Sequence, residues 1–176
     1  MAGTPPNVIV CLCDQLRSFE VGCYGNDIIR TPNIDRLCQN GVWFDVACAN
    51  NPVCTPSRSI LLSGQYSRSC TGVLNNRAHT PPSLARECLK DPTLPETFRH
   101  AGYDTALIGK WHVRPDPGIV GFDHTLYPHQ SHRNTQQTYF RRNGEGFVVE
   151  EFAPDFEIRE VETYLESHQQ RPFFLY

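Results

Sequence analysis

A cysteine and an arginine near the start of one predicted helix are the residues of this chain best suited to chemistry on an anion. Cys54 comes shortly before Pro56, a residue favoured in the first turn of a helix, and Gly64 is the expected end of that helix. Free N–H groups and the helix dipole would stabilise a tetrahedral anion at Cys54. Arg58 adds a planar fork of donors that suits sulfate or phosphate oxygens. The alternative is a structural cysteine before an ordinary surface helix.

A lysine and a histidine follow a short apolar run later in the chain. Residues 105–108 predict a strand that ends before Gly109, and Lys110 and His112 come directly afterwards. In open α/β sheets, ligands bind at the carboxyl ends of the strands. We therefore expect these two side chains to lie in a ligand site, the alternative being an edge-strand lysine and a surface histidine.

Both motifs resemble signatures of one protein family. The sequence from Cys54 to Arg58 reads C-x-P-S-R, and the segment 102–112 ends in Gly-Lys-Trp-His. These are similar to the two signatures of the type I sulfatases, which are formylglycine-dependent hydrolases of the alkaline phosphatase superfamily. The resemblance implies an α/β fold in which residues 1–176 form the N-terminal part of an alkaline-phosphatase-like sandwich. Its mixed, mostly parallel sheet would be covered by helices on both faces.

The resemblance also implies a reaction and a set of roles. A formylglycine-generating enzyme would oxidise Cys54 to formylglycine, whose hydrated form attacks a small-molecule sulfate ester. Arg58 would stabilise that nucleophile, Lys110 would hold the anionic group, and His112 would orient the nucleophile or exchange a proton with it. Phosphonate or phosphate esters are the alternative substrates because these anions are also tetrahedral.

A possible metal site follows the first predicted strand. The apolar run 8–13 predicts a strand buried on both faces, and Asp14 and Gln15 come next. The family resemblance implies that Asp14, Gln15 and the modified Cys54 bind a divalent cation, calcium first, with manganese or magnesium as alternatives. An Asp-Gln pair resembles the choline sulfatase and phosphonate monoester hydrolase branch. The alternative role for Asp14 is to cap the following turn.

Helix and strand signals alternate along the rest of the chain. Capping residues, apolar spacing and glycine stops predict helices over 31–41, 95–102 and 155–165. In the last helix we expect Asp155 as the N-cap and an inward face formed by Ile158, Val161 and Leu165. Apolar runs predict strands at 42–46 and 173–176. This alternation favours a parallel or mixed sheet with helices on both sides.

Residues 114–147 look different from their surroundings. They are rich in Pro, Gly, His, Asn and Gln and show little periodicity, which predicts a long loop or an insertion. His124, His129 and His132 lie there and are expected to be solvated, the alternative being a substrate contact by one of them.

Composition limits the other functional classes. A length of 176 residues suits one domain, and a net charge of −3 gives no indication of nucleic-acid or membrane binding. A polar start without an evident signal peptide or membrane span predicts a cytoplasmic protein. Most of the eight cysteines are therefore expected to be reduced, buried small residues.

Length also bears on activity. Members of the resembled family are commonly much longer, and their further metal ligands lie in later parts of the chain. The apolar residues 173–176 predict the opening of a core strand. We therefore expect an amino-terminal fragment or a truncated gene product that has no sulfatase activity alone. The competing hypothesis is a non-catalytic remnant that at most binds an anion at Cys54.

Overall fold

The computed structural model describes residues 5–70, 89, 92–129 and 138–176, and within these ranges six strands form one sheet. The strands are β1 Val8–Ile9, β2 Asp104–Ile108, β3 His124–Pro128, β4 Thr138–Arg142, β5 Glu145–Val149 and β6 Phe173–Leu175. Their order across the sheet is β1-β6-β2-β3-β4-β5. The neighbours from β1 to β3 pair in parallel, whereas β3–β4 and β4–β5 are antiparallel. The expected mixed, mostly parallel architecture is confirmed for its central strands.

The helices are α1 Pro32–Asn40, α2 Cys54–Ser63, α3 Ser67–Cys70, α4 Leu94–His100 and α5 Ala153–Ser167. Short 3₁₀ turns cover Ser18–Glu20 and Gly22–Tyr24. The chain divides into two compact units, one formed by residues 1–11 and 50–176 and the other by residues 12–49. The prediction of a single domain stays a prediction. No described helix is both long enough and apolar enough to cross a lipid bilayer.

Apolar side chains cover both faces of the central strands β2 and β6. Leu107 and Phe174 point into one cluster, where Phe98 of α4 stacks on Phe174 with ring centroids 4.4 Å apart. Ala106 and Phe173 point to the opposite face, where they pack with Tyr164, Val161 and Leu165 of α5. Strands buried on both faces are typical of parallel sheets covered by helices.

Local sequence signals determine the ends of several helices. Thr93 accepts a hydrogen bond from the backbone N–H of Glu96, whose side chain in turn accepts from Thr93 N at 2.8 Å, so α4 begins with a capping box. α1 begins at Pro32 and is followed by Gly41, as the sequence predicts. These signals act over only a few residues, which is why the sequence identifies them.

The first strand is shorter and more exposed than expected. β1 covers only Val8–Ile9, and Ile9 is 55% exposed, whereas residues 8–13 were expected to be buried on both faces. The physical reason is position, because β1 lies at the edge of the described sheet and pairs only with β6. A strand at the edge of a sheet has a neighbouring strand on one side only, so its other side is not covered by the sheet.

The strand predicted at 42–46 does not form. Val42 is 84% exposed and Val46 is 80% exposed, and residues 12–49, all of which the structure describes, contain no strand. An apolar run becomes a strand only when a neighbouring strand completes its hydrogen bonds. That partner is lacking within this unit, so the prediction is wrong.

The inward face of α5 also differs from the prediction. Phe152 is the N-cap and Asp155 lies in the first turn, so Asp155 does not cap the helix. Ile158 is 58% exposed. Val161 and Leu165 do pack against the sheet, as predicted, and Ala153, Phe156 and Tyr164 are the fully buried residues on that side of the helix.

Strands replace much of the loop expected at 114–147. β3, β4 and most of β5 lie within it, and β4 and β5 form a hairpin around Asn143 and Gly144. Both turn residues have positive φ, 49° and 89°, as a two-residue Asn-Gly turn requires. His124 begins β3 and is half-buried, His129 is exposed, and His132 lies outside the described residues. The alternative that this segment is an insertion stays a prediction.

The cysteines are less buried than expected. Cys11, Cys13 and Cys48 are exposed, and Cys70 is the buried one among the described cysteines. Cys88 lies outside the described residues. The expectation failed because burial of a small side chain depends on which neighbours the fold brings to it, which no local signal encodes.

Candidate active site

Cys54 lies at the positive end of a helix. It is the first residue of α2, after an extended N-cap at Val53, and its side chain is half-buried. The helix ends at Gly64, whose φ is 64° and whose N–H donates to the carbonyl oxygen of Ile60. The prediction that Cys54 lies at a helix N-terminus is thus confirmed, and the first backbone N–H groups of α2 are oriented toward that end.

Lys110 brings a positive charge to the same place. β2 ends at Ile108, Gly109 follows with φ 105°, and Lys110 comes next, at the carboxyl end of a central parallel strand. Its Nζ donates to Sγ of Cys54 at 3.4 Å. Two residues far apart in sequence therefore meet where the two motifs predicted a common site.

Arg58 is buried and holds the loop that carries Lys110. Arg58 is 4% exposed, and its Nη1 donates a hydrogen bond to the carbonyl oxygen of Lys110 at 2.9 Å. Nη1 also lies 3.2 Å from the hydroxyl oxygen of Tyr176, which accepts a hydrogen bond from it. A buried guanidinium is stable only when its donors find acceptors. Arg58 thus links α2 to the end of β2 and places its charge one turn from Cys54.

Burial also affects Tyr176. The pKa of its hydroxyl is raised above 10.0 because the ring is buried, and nearby Arg58 opposes that rise. The backbone of Tyr176 continues the pairing of β6 with β2, as its N–H donates to Ala106 O at 2.8 Å and its carbonyl accepts from Ile108 N at 2.9 Å. Strand pairing therefore delivers this hydroxyl to Arg58.

A threonine connects His112 to the first turn of α2. The hydroxyl of Thr55 donates to the carbonyl oxygen of His112 at 2.9 Å. His112 has φ 52°, a left-handed conformation that is uncommon for a residue with a Cβ atom. The surrounding contacts must hold this strained backbone in place, and strain of this kind clusters at functional sites.

The predicted metal ligands lie in the other compact unit. Asp14 and Gln15 are exposed, and Gln15 has φ 56°, another left-handed conformation. Their carboxylate and amide oxygens are ligands that a hard divalent cation accepts, so their chemistry fits such an ion. Within the described ranges, no group of three or more His, Cys, Asp and Glu side chains is arranged to hold a metal ion. The metal assignment stays a prediction.

Sequence reasoning missed two residues of this site. Thr55 is adjacent to Cys54, and its position in the first helical turn was a usable signal. Tyr176 had no local signal, because its hydroxyl reaches Arg58 only through the pairing of β6 with β2.

The fold and the geometry together define a class of protein. A thiol at a helix N-terminus, a buried arginine one turn along the same helix and a lysine at the carboxyl end of a central parallel strand form an α/β site suited to a tetrahedral anion. The Sulfatase family model matches residues 6–176, and the chain belongs to this family. Members of this family generally use formylglycine and a divalent metal ion.

Individual relatives agree with this assignment. The chain is 32% identical over 173 residues to an N-acetylglucosamine-6-O-sulfatase from Bacteroides thetaiotaomicron, covering 96% of this chain and 29% of the relative. It resembles a protein solved in complex with its substrate D-glucosamine-2-N,6-O-disulfate, with a TM-score of 0.81, 30% identity and coverage of 97% and 33%. A phosphonate monoester hydrolase from Agrobacterium radiobacter is 31% identical, with a TM-score of 0.50 and coverage of 64% and 21%.

These alignments cover most of this chain but a small part of the relatives. The chain spans about a third of the length of the sulfatase and of the first solved structure that it matches. Activity, substrate and partners of the whole protein are therefore matters for proposal.

Proposed function

We propose that this chain carries the nucleophile end of an active site that hydrolyses small-molecule sulfate esters, with Cys54 as the precursor of the nucleophile. The observation that supports it best is the 3.4 Å contact between Nζ of Lys110 and Sγ of Cys54 at the N-terminus of α2. A cation and several backbone N–H groups at one side chain are what an incoming anion needs.

Formylglycine at position 54 belongs to this proposal. A formylglycine-generating enzyme would be the partner that oxidises Cys54. One hydroxyl of the hydrated formylglycine would attack the sulfur and displace the alcohol, and the second would lose its proton and re-form the aldehyde as sulfate is expelled. The family assignment and the position of Cys54 at the start of α2 support this modification.

The residues of this chain would bind and orient the substrate. Lys110 would hold a sulfuryl oxygen beside position 54, and the dipole of α2 would stabilise the charge that develops there. Arg58 would keep the Lys110 loop against α2 and add its charge from one turn away. Thr55 would hold the backbone of His112, so that the imidazole can orient the nucleophile or exchange a proton with it.

A divalent cation completes the proposal. Asp14 and Gln15 would supply oxygen ligands to it. Calcium is our first choice on the family resemblance, and manganese and magnesium are the alternatives because they also accept hard oxygen ligands. A divalent cation supplies Lewis-acid chemistry, which polarises the oxygens of a sulfate ester.

Sugar sulfates are the first substrates to test. One relative is an N-acetylglucosamine-6-O-sulfatase, and one similar structure was solved with a disulfated glucosamine as its substrate. The second candidate is phosphonate monoester hydrolysis, which the likeness to a phosphonate monoester hydrolase supports. Both reactions place a tetrahedral anion at the same residues, so substrate preference has to be measured.

The experiment uses the product of the natural reading frame, produced together with a formylglycine-generating enzyme. Its kcat/KM is measured on N-acetylglucosamine 6-sulfate, on a generic aryl sulfate and on the matching aryl phosphonate. We expect the sulfate esters to be preferred and Cys54→Ala to abolish their turnover. A preference for the phosphonate would replace the first proposal by the second, and undiminished turnover by Cys54→Ala would refute both.

A further inference from the structure

Two thiols lie against each other in the unit formed by residues 12–49. Cys23 is in the 3₁₀ turn Gly22–Tyr24, Cys38 is near the end of α1, and their sulfur atoms are 2.7 Å apart. Both are free cysteines in the structure. The sulfurs would have to approach by less than about 1 Å to reach disulfide bond length. Neither residue has a role in the proposed hydrolysis.

Hydrogen bonds hold the two elements together independently of the sulfurs. The hydroxyl oxygen of Thr31 accepts from the N–H of Gly22 at 2.8 Å and donates to Oδ1 of Asp35 at 3.0 Å. The same Asp35 oxygen accepts from the N–H of Cys23 at 2.8 Å. The turn is thus fixed on α1 through backbone groups, so the thiols are positioned for bond formation before any oxidation occurs.

The approach between the turn and α1 is close as well as hydrogen-bonded. A Cβ atom at Gly22 would lie 2.6 Å from an oxygen of Asp35, so a residue larger than glycine would have to displace the carboxylate that accepts from the Cys23 N–H. Glycine at this position therefore permits the sulfur contact that follows it in the chain.

A small reagent can reach the pair. Cys23 and Cys38 are half-buried and line an open cleft of about 500 Å³ together with Asn26, Gln39 and Trp43. The pKa of the Cys23 thiol is raised to about 11, first by its hydrogen bond with Cys38 and then by burial. Bond formation would therefore be favoured by proximity and not by a high thiolate population.

We propose that Cys23 and Cys38 form a reversible intramolecular disulfide that locks the turn Gly22–Tyr24 onto α1. The oxidant is a low-molecular-weight disulfide such as oxidised glutathione. The thiolate of one cysteine attacks a glutathione sulfur and releases one reduced glutathione, which leaves a mixed disulfide. The thiolate of the other cysteine attacks the protein sulfur and releases the second. Two protein thiols lose two electrons, and the two protons end on the released glutathione thiols.

The consequence is confined to this unit and does not depend on the hydrolase proposal. The disulfide would close a loop that contains Thr31 and Asp35 and would restrict the unfolded chain. The loop belongs to the compact unit that also contains Asp14 and Gln15, so oxidation would stabilise the unit with the candidate metal ligands. Reduction of the disulfide would remove this stabilisation.

The test is a peptide map of the chain after incubation with oxidised glutathione and alkylation of the remaining thiols. Trypsin cleaves after Arg17, Arg30, Arg36 and Arg58, which separates Cys23 on peptide 18–30 from Cys38 on peptide 37–58. We expect a linked pair of these peptides that has lost two hydrogen atoms and separates on reduction. Fragmentation should place the bond at Cys38.

Variants make the assignment specific, because peptide 37–58 also contains Cys48 and Cys54. The linked pair should persist in Cys48→Ser, which removes an exposed thiol, and disappear in Cys38→Ser. Complete alkylation of Cys23 in the oxidised wild-type chain would overturn the proposal, whatever the variants do. So would a link at Cys48 or Cys54 that survives Cys38→Ser.

Discussion

Nη1 of Arg58 donates a hydrogen bond to the carbonyl oxygen of Lys110 at 2.9 Å, while the ammonium group of Lys110 lies 3.4 Å from Sγ of Cys54. These two contacts join the two motifs of the chain, in addition to the hydrogen bond from Thr55 to the carbonyl oxygen of His112. Arg58 has a structural part in this arrangement, because it fixes the loop whose lysine faces position 54.

The first prediction concerns Arg58 and stability. Arg58→Ala should lower the free energy of unfolding by about 1–3 kcal/mol, because the buried acceptors at Lys110 and Tyr176 lose a charged donor. Urea unfolding of the purified chain measures this change in the free energy of unfolding. Arg68→Ala is the matched control, since Arg68 is exposed, and its effect should stay within about 0.5 kcal/mol. Equal losses in the two variants would contradict the account.

Lys110 is predicted to matter for catalysis. Lys110→Ala should lower kcat/KM for a sulfate ester by about 10²–10³-fold in the proposed enzyme, because a charge next to the reacting centre is lost. Steady-state kinetics measures the loss. Arg114→Ala removes an exposed cation a few residues away and should retain near-normal activity. A similar loss of kcat/KM in both variants would mean that Lys110 contributes only to the overall positive potential of the protein and makes no direct contact with the reacting group.

Thr55 is predicted to position His112. Thr55→Val removes the donor to the His112 carbonyl oxygen, a bond worth about 0.5–1.5 kcal/mol, so kcat should fall up to about tenfold. Thr55→Ser keeps the hydroxyl and should recover most of kcat. A Ser variant as slow as the Val variant would show that packing of the threonine methyl group, and not its hydrogen bond, is responsible.

Alkaline pH should destabilise the fold through Tyr164. Burial raises the pKa of its hydroxyl from 10.0 to about 12, so the unfolded chain ionises first as the pH rises. The stability contributed by the neutral form is complete below about pH 10 and is lost as the pH rises through about 12. Absorbance titration of tyrosinate should show a late-ionising group that is absent in Tyr164→Phe. Tyr66→Phe changes a ring that is 69% exposed and serves as the control, because the late-ionising group should persist in it.

The sequence predicts the site better than it predicts the sheet around it. The start of α2 at Cys54 and the end of β2 before Gly109 depend on neighbouring proline, glycine and β-branched residues, which act locally. The strand expected at 42–46 failed because a strand depends on a partner elsewhere in the chain. Tyr176 could not be found for the same reason, since strand pairing brings its hydroxyl to Arg58.

The hairpin β4–β5 was not predicted, although the sequence contains a signal for its turn. Asn143-Gly144 between two runs that contain aromatic and β-branched residues is a strong turn signal, and it lay within the segment predicted as a loop. The low average periodicity of 114–147 concealed it. A turn signal should therefore outweigh composition when the two disagree.

The most direct test of the central claim is mass spectrometry of residue 54 in chain produced together with a formylglycine-generating enzyme. We predict that the tryptic peptide 37–58 contains an aldehyde at position 54, trapped by a hydrazide reagent, and that Cys48 in the same peptide remains a thiol. An unmodified thiol at Cys54, under conditions in which a known substrate of the same enzyme is converted, would contradict the account.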